Sequence, residues 1–190
     1  MAADPLEQQP EAPVSVRLAE AADIPAIERL IPLSVRVLQA ATYTPAQIEA
    51  ALGTVFGVDR RLIEDGTYFL AEVGGEVVGC GGWSRRRTLF GSDHGPVRDD
   101  GWLDPAQDAG RVRAFFVHPA WARRGIGRRI VEACEATARA AGFTRLELAA
   151  TLAGEPLYRA CGFEVVEAAE APLPNGETLP ILRMSKRLTD

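Results

Sequence analysis

The sequence is poor in the residues that build metal centres and disulfide frameworks. It has two histidines and three cysteines, Cys80, Cys134 and Cys161, and no C-x-x-C pair among its 190 residues. These counts argue against a histidine-rich zinc site and against a disulfide scaffold, so we expect no metal and the reduced thiols of a cytoplasmic protein. A long apolar run and a signal peptide are also lacking, and we therefore expect no membrane span.

Positive charge is also scarce. Lysine and arginine number 21 against 26 aspartates and glutamates, which gives a net charge of −5 and argues against a general nucleic-acid binder. At 47% hydrophobic and 25% charged residues, the chain has the composition of an ordinary globular protein with a sizeable core. We predict a disordered tail over residues 1–13 and a single domain over residues 14–190.

The most informative stretch joins an apolar, strand-like run to the opening of a helix. Residues 115–130 read FFVHPAWARRGIGRRI, with a proline and a G-x-G spacing between the run and the helix. A strand, a glycine turn and a helix start bring free backbone N–H groups together at the positive end of the helix dipole, where anions bind. Arginines flank both glycines. We infer a turn that binds a diphosphate.

Other phosphate-binding motifs fit this stretch less well. The P-loop pattern is absent, and the dinucleotide pattern G-x-G-x-x-G has Ile130 in place of its third glycine. A nucleotide-binding protein is therefore disfavoured. The simplest alternative is a helix N-terminus that carries surface arginines and binds nothing.

Two segments resemble a known family. Ala122–Gly127 resembles motif A, Gln/Arg-x-x-Gly-x-Gly/Ala, of the GNAT superfamily of acyl-CoA-dependent N-acyltransferases, with Ala122 departing at the first position. Residues 156–164, PLYRACGFE, resemble the LYxxxGF segment of the same family. Two matching segments in the family's order are more specific than either one alone.

The resemblance implies a fold and an activity. The fold would be α/β, with a mixed, mostly antiparallel sheet of about seven strands that splays at the acyl-CoA site and is flanked by about four helices. The activity would be acetyl transfer from acetyl-CoA, as cosubstrate, to a primary amine of a small molecule or a peptide. A binding module or sensor that holds acyl-CoA without transferring it is the alternative. Homodimers are common in such folds.

The resemblance also implies where the cosubstrate would lie. The end of the strand before the turn would pair with the pantetheine arm, and the N–H groups of the turn would hold the diphosphate. Thr151 stands at a CoA-contacting position where many members have asparagine. The expected cofactor-binding residues are Phe115, Phe116, Val117, Arg123, Arg124, Gly125, Ile126, Gly127, Arg128 and Thr151.

Two residues are candidates for proton transfer. Tyr158 matches the family tyrosine that protonates the leaving sulfur; the alternative is a tyrosine that packs its ring in the core. Glu147 resembles the acid that some members use, through water, to deprotonate the amine. Glu147 lies one residue nearer to Tyr158 than the corresponding acid does in the peptide-α-amine branch of the family, and a shift of one residue in a strand reverses the face on which a side chain lies. The alternative is that Glu147 is a solvated strand residue. His118 fits a turn histidine better than a base.

Several local predictions concern the acceptor side. We expect a helix over 24–39 that Pro32 kinks or breaks, a second one after the capping box at Thr44, and a third, short one near 58–64. The strand that starts at Val77 could run to Phe90, and its glycines indicate a bulge or a close backbone approach. Residues 91–110 read as a long acidic loop, which either attracts a cationic amine or is merely solvated.

Overall fold

The structure is a computed structural model that describes residues 13–95 and 99–188. These residues form seven strands: β1 Ser15–Leu18, β2 Tyr68–Val73, β3 Glu76–Ser84, β4 Gly110–Val117, β5 Arg145–Thr151, β6 Glu164–Pro172 and β7 Thr178–Arg187. They also form five α-helices: α1 Ile24–Leu38, α2 Pro45–Ala51, α3 Arg60–Glu64, α4 Ile126–Ala140 and α5 Glu155–Ala160. Residues 1–12 of the predicted tail lie outside the described ranges.

One sheet contains all seven strands in the order β1-β2-β3-β4-β5-β7-β6. Every neighbouring pair is antiparallel except β4 and β5, which run parallel. Helix α4 packs its buried stripe on one face, and helix α1 packs on the other, so each face of the sheet has its own apolar core. The predicted mixed, mostly antiparallel sheet is confirmed, with five flanking helices instead of about four.

The sheet opens between its two parallel strands. Their pairing covers only Gly110–Val112 of β4 against Leu146–Leu148 of β5. Immediately beyond it, Ala114 takes a left-handed conformation with φ of 58°, and the register of β4 against β3 shifts by a residue. Such a bulge bends a strand and interrupts its pairing. The second half of β4 therefore leaves β5, which confirms the predicted splay.

The glycines of β3 lie where other parts of the chain come close. A Cβ on Gly79 would stand 2.6 Å from Ile126 of α4, and one on Gly81 would stand 2.6 Å from the Phe115 ring. Real Cβ contacts are not that short, so a side chain at either position would displace its neighbour. The predicted close approach is confirmed, and it lets the start of α4 sit directly on the strand beside the splay.

The structure decides between the two expected effects of Pro32 and corrects the end of one strand. Pro32 does not break the first helix: α1 continues to Leu38 and buries Ile31 and Val35 on either side of the proline. That packing outweighs the one backbone hydrogen bond that a proline cannot donate. Strand β3 ends at Ser84, well before Phe90, because the Ser84 hydroxyl accepts the N–H of Arg86 at 3.0 Å and turns the chain.

The loop after β3 is held to the rest of the protein by Arg86. Its guanidinium donates to both carboxylate oxygens of Asp65 at 2.7 and 2.8 Å and lies 4.3 Å from the centre of the Trp102 ring.

Within the described residues, no helix is long and apolar enough to cross a membrane.

Candidate active site

A cavity of about 530 Å³ passes through the opening between β4 and β5. One end is lined by the turn before α4 and by α5. The other end is lined by α1, by the segment after α2 and by Phe90 and Gly91. The cavity thus extends from the turn before α4 to the α1 side of the sheet.

The turn before α4 has the geometry of an anion site. Arg123 and Gly125 take left-handed conformations, with φ of 64° and 82°, and α4 begins at Ile126. The Arg129 N–H donates to the Gly125 carbonyl at 3.1 Å, so the N–H groups of the three residues before Arg129 precede the helical ladder. These N–H groups lie at the positive end of a 15-residue helix and border the cavity.

Gly127 is needed for a reason that sequence reasoning missed. A Cβ there would stand 2.7 Å from Leu157 of α5, whereas one on Gly125 would meet nothing within 4 Å. The side chain of Arg128 donates to the carbonyl of Ala160, at the last residue of α5, at 3.0 Å. The turn is therefore docked against α5, and α5 carries the candidate acid.

The arginines of the turn divide into two groups. Arg123 and Arg128 line the cavity. Arg124 is not part of the lining, and its guanidinium lies 4.9 Å from the centre of the Trp121 ring. Of the expected diphosphate-binding residues, the structure thus brings all but Arg124 to the cavity wall.

Tyr158 lies in the wall of the cavity with its ring in the core. It is 7% exposed, and its ring packs edge-on against Phe115 and Phe163 with 5.9 Å between ring centres. Burial raises the pKa of the phenol, with smaller contributions from Cys134 and Cys161. The hydroxyl therefore keeps its proton at neutral pH and is present in the cavity wall as a hydrogen-bond donor, although the same burial makes it a weaker acid.

The end of β4 and the end of β5 face each other across the opening. Phe115, Phe116, Val117 and Thr151 all line it. The Val117 N–H donates to the hydroxyl of Ser34 on α1 at 3.2 Å. The splayed strand thus already offers one donor to the interior of the cavity.

Ser34 and Gln39 are cavity residues that sequence reasoning missed. The Gln39 amide donates to the Thr151 hydroxyl at 3.1 Å, and this hydroxyl also accepts the Gly154 N–H at 3.1 Å. The hydrogen bond from Gln39 to Thr151 joins the end of α1 to the end of β5 across the mouth of the splay. A polar residue inside or just after an apolar helix stripe was the one sequence signal for both residues.

Glu147 does not reach the cavity wall. The residue is 8% exposed, and its carboxylate accepts one hydrogen bond from Arg111 and another from Arg183 at 3.0 Å. Burial alone would raise its pKa, but the hydrogen bond from Arg183 and the charge of Arg111 outweigh that effect and hold the pKa below its usual 4.5. The structure therefore does not bring Glu147 together with Tyr158.

The arginine contacts of Glu147 predict a structural effect on substitution. Glu147→Gln should lower the free energy of unfolding by about 1.5–3 kcal/mol at pH 7, because two guanidiniums lose a charged acceptor. A carboxylate with a depressed native pKa stabilises the fold above its unfolded pKa and stops doing so as the pH falls through the native value. Urea denaturation should show the variant and the wild type converging below pH 4.5. An equal gap at pH 7 and pH 3 would contradict this account.

Three aspartates of the 91–110 loop accept backbone N–H groups, either from the loop itself or from the start of α3. Asp93 accepts the Arg60 N–H at 3.0 Å, Asp99 accepts the Gly101 N–H at 2.9 Å, and Asp108 accepts the Asp104 N–H at 2.8 Å. None of these carboxylates lines the cavity. Residues 96–98 of this loop lie outside the described ranges. Among the residues that are described, no group of three or more potential ligands could hold a metal ion.

The fold matches those of solved acetyltransferases. A GCN5-related N-acetyltransferase from Rhodopseudomonas palustris aligns with a TM-score of 0.69 at 20% identity, over 95% of this chain and 99% of that one. The PaiA N-acetyltransferase of Thermoplasma acidophilum, solved with coenzyme A, aligns with a TM-score of 0.65 at 12% identity, over 92% and 99%. A putative acetyltransferase of Salmonella typhimurium, solved with acetyl-CoA, aligns with a TM-score of 0.59 at 16% identity, over 93% and 95%.

The two sequence comparisons gave different results. The search of curated proteins gave no match. The model of the acetyltransferase (GNAT) family matches residues 35–163, which include the splayed strands, the turn before α4 and Tyr158. Since this match covers more than half of the chain and agrees with the fold, the chain belongs to the GNAT family of N-acetyltransferases.

Proposed function

We propose that this enzyme moves an acetyl group from acetyl-CoA to a primary amine by direct transfer. The observation that carries the proposal is the cavity through the splay, with the glycine turn before α4 at one end and Tyr158 in its wall. Coenzyme A and acetyl-CoA occupy two of the solved relatives, which supports the same cosubstrate here. No covalent enzyme intermediate is needed, because both reactants meet in one cavity.

The splayed half of β4 is suited to bind the pantetheine arm. Its pairing with β5 stops after Val112, so the edge of residues 115–117 is available to an extended ligand, as an added strand would be. In this arrangement the diphosphate would accept hydrogen bonds from the N–H groups of Ile126, Gly127 and Arg128, with Arg123 close by. Charge-assisted bonds of this kind contribute about 1.5–3 kcal/mol each.

The chemical step needs a donor for the thioester oxygen and a proton for the leaving sulfur. The Val117 N–H, which donates to the Ser34 hydroxyl in this structure, would serve the oxygen once that hydroxyl turns away. The amine nitrogen attacks the carbonyl carbon, the carbon–sulfur bond breaks, and Tyr158 supplies the proton that the thiolate takes. The proton that the nitrogen loses as the amide forms passes, directly or through water, to the Tyr158 phenolate and restores the phenol. We assign no proton transfer to Glu147, because its carboxylate is bound to two arginines away from the cavity.

Release of coenzyme A in the presence of amines tests the proposal. We expect free thiol to appear together with an acetylated product whose mass is higher by one acetyl group, and neither to appear without an amine. A protein that binds coenzyme A but releases none with any amine would be the binding module instead. Its cavity would then hold acyl-CoA without transferring the acyl group to an amine.

A further inference from the structure

We infer that the acceptor is an apolar amine that carries a single amino group of low pKa, and this inference rests on the proposed function. It excludes polyamines and aminoglycosides as good substrates. The inference follows from what lines the α1 end of the cavity, which the acetyl group would face across the splay. Three features each support it separately: the apolar side chains of the lining, its charged side chains, and the lack of a proton acceptor in it.

The walls of the α1 end are mostly apolar, with Ser34, Gln39 and Arg113 as their polar members. The apolar side chains are those of Leu38, Val55, Phe56, Phe90, Phe116 and Ile181. Phe56 packs edge-on against Phe116 with 6.3 Å between ring centres, which gives this compartment a rigid aromatic side. A hydrocarbon or aromatic group gains roughly 25 cal/mol per Å² of surface that it removes from water, whereas a second ammonium would lose its hydration against these walls.

The charged side chains in the described lining are all guanidiniums, and Arg113 is the one at the α1 end. Arg113 is 5% exposed and lies 2.9 Å from the carboxylate of Asp59, which is fully buried. Its other terminal nitrogen donates to the Thr88 carbonyl at 2.9 Å. The guanidinium and the carboxylate therefore form a buried ion pair, and the described lining offers no carboxylate that could pair with a second ammonium.

Proton transfer favours an amine that is already neutral. The described lining contains no carboxylate or imidazole that could take a proton from an ammonium, and Tyr158 enters the reaction as an acid. An α-amine has a pKa of about 7.7–8.0 and an alkylamine one of about 10.4. At pH 7 the neutral fraction of the α-amine is therefore a few hundred-fold larger, and an arylamine would be neutral altogether.

A matched set of amines tests the inference. Phenylalaninamide and 2-phenylethylamine share an aromatic body and differ in amine pKa, whereas spermidine and kanamycin carry several charges. At pH 7, kcat/KM should be at least tenfold higher for phenylalaninamide than for 2-phenylethylamine, and lowest for spermidine and kanamycin. Aniline should also be acetylated if the low pKa, and not the neighbouring carbonyl, is what the site selects. Spermidine or kanamycin as the best substrate would overturn the inference and leave the acetyltransferase intact.

Binding separates this inference from the proposed function. With coenzyme A present, phenylalaninamide should shift the thermal melting midpoint upward, and spermidine at the same concentration should not. That result would support the inference even if no thiol were released, an outcome that would contradict only the proposed function. A shift with spermidine alone would overturn the inference whatever the turnover.

Two variants that add a carboxylate, one inside the cavity lining and one outside it, test the argument from the apolar wall. Leu38 lines the cavity at the end of α1, whereas Leu33 lies on the same helix, 43% exposed and outside the lining. Leu38→Glu should raise the spermidine-to-phenylalaninamide ratio of kcat/KM at least tenfold, and Leu33→Glu should leave it within about twofold. An unchanged ratio in a Leu38→Glu protein that still binds coenzyme A would contradict the apolar-wall argument. Should that variant not fold, Val55→Asp carries the same expectation.

Discussion

Replacing Tyr158 by phenylalanine is expected to lower kcat by about a hundredfold or more and to leave the Kd for coenzyme A within about threefold. General acids contribute roughly 10²–10⁴ to such reactions, and the thiolate would have to leave without a proton. The ring packs against Phe115 and Phe163, and phenylalanine preserves both contacts. Because burial raises the pKa of this phenol, the wild type should show no loss of rate from its ionisation up to pH 10.

Stopped-flow thiol release and calorimetric titration measure the two quantities separately. Tyr43→Phe is the matched control, since Tyr43 is also buried but lies outside the cavity lining. Its hydroxyl donates to the Pro180 carbonyl at 2.6 Å and accepts the Leu152 N–H at 3.0 Å, so this variant should lose stability and keep its kcat. Equal losses of kcat in both variants would reject Tyr158 as the acid.

Placing a carboxylate at Gly125 is expected to weaken the binding of coenzyme A by tenfold to a hundredfold. Gly125 has a φ of 82°, a conformation that asparagine and aspartate tolerate better than other residues, and a Cβ there meets nothing within 4 Å. The fold should therefore accept Gly125→Asp, and an acidic group at a helix start does not destabilise the helix. The new charge would stand where the diphosphate is expected and would repel it.

Gly125→Asn separates charge from shape. It has nearly the same size and backbone preference as aspartate and no charge, so its Kd should stay within about fivefold of the wild type. Calorimetry with coenzyme A, repeated at low and high salt, measures both variants. The difference between them should shrink as salt screens the repulsion. Equal weakening by asparagine and aspartate would mean that the turn acts through its shape and not as an anion site.

The parts of the fold that could be predicted from the sequence are those with local causes. The strand–turn–helix around Gly125 and the capping box at Thr44 depend on residues a few positions apart. In the structure, the Thr44 hydroxyl accepts the Gln47 N–H at 3.1 Å and the Gln47 side chain accepts the Thr44 N–H at 3.0 Å. The splay was expected from the family resemblance, and the bulge at Ala114 supplies its physical cause.

The parts that could not be predicted depend on contacts between distant residues. The family resemblance singled out Glu147, but nothing local predicted that Arg111 and Arg183 hold its carboxylate, each 36 residues away along the chain. The bond from Val117 to Ser34 spans 83 residues, and the contact of Gly127 with Leu157 joins two helices. No local pattern encodes such pairs, because they depend on how the sheet and helices pack.

A crystal structure of the complex with coenzyme A tests the central claim most directly. The account predicts a diphosphate within hydrogen-bond distance of the N–H groups of Ile126, Gly127 and Arg128. It also predicts a pantetheine arm along residues 115–117 and a sulfur close to the Tyr158 hydroxyl. A diphosphate bound elsewhere on the surface, with the opening between β4 and β5 filled only by solvent, would contradict it.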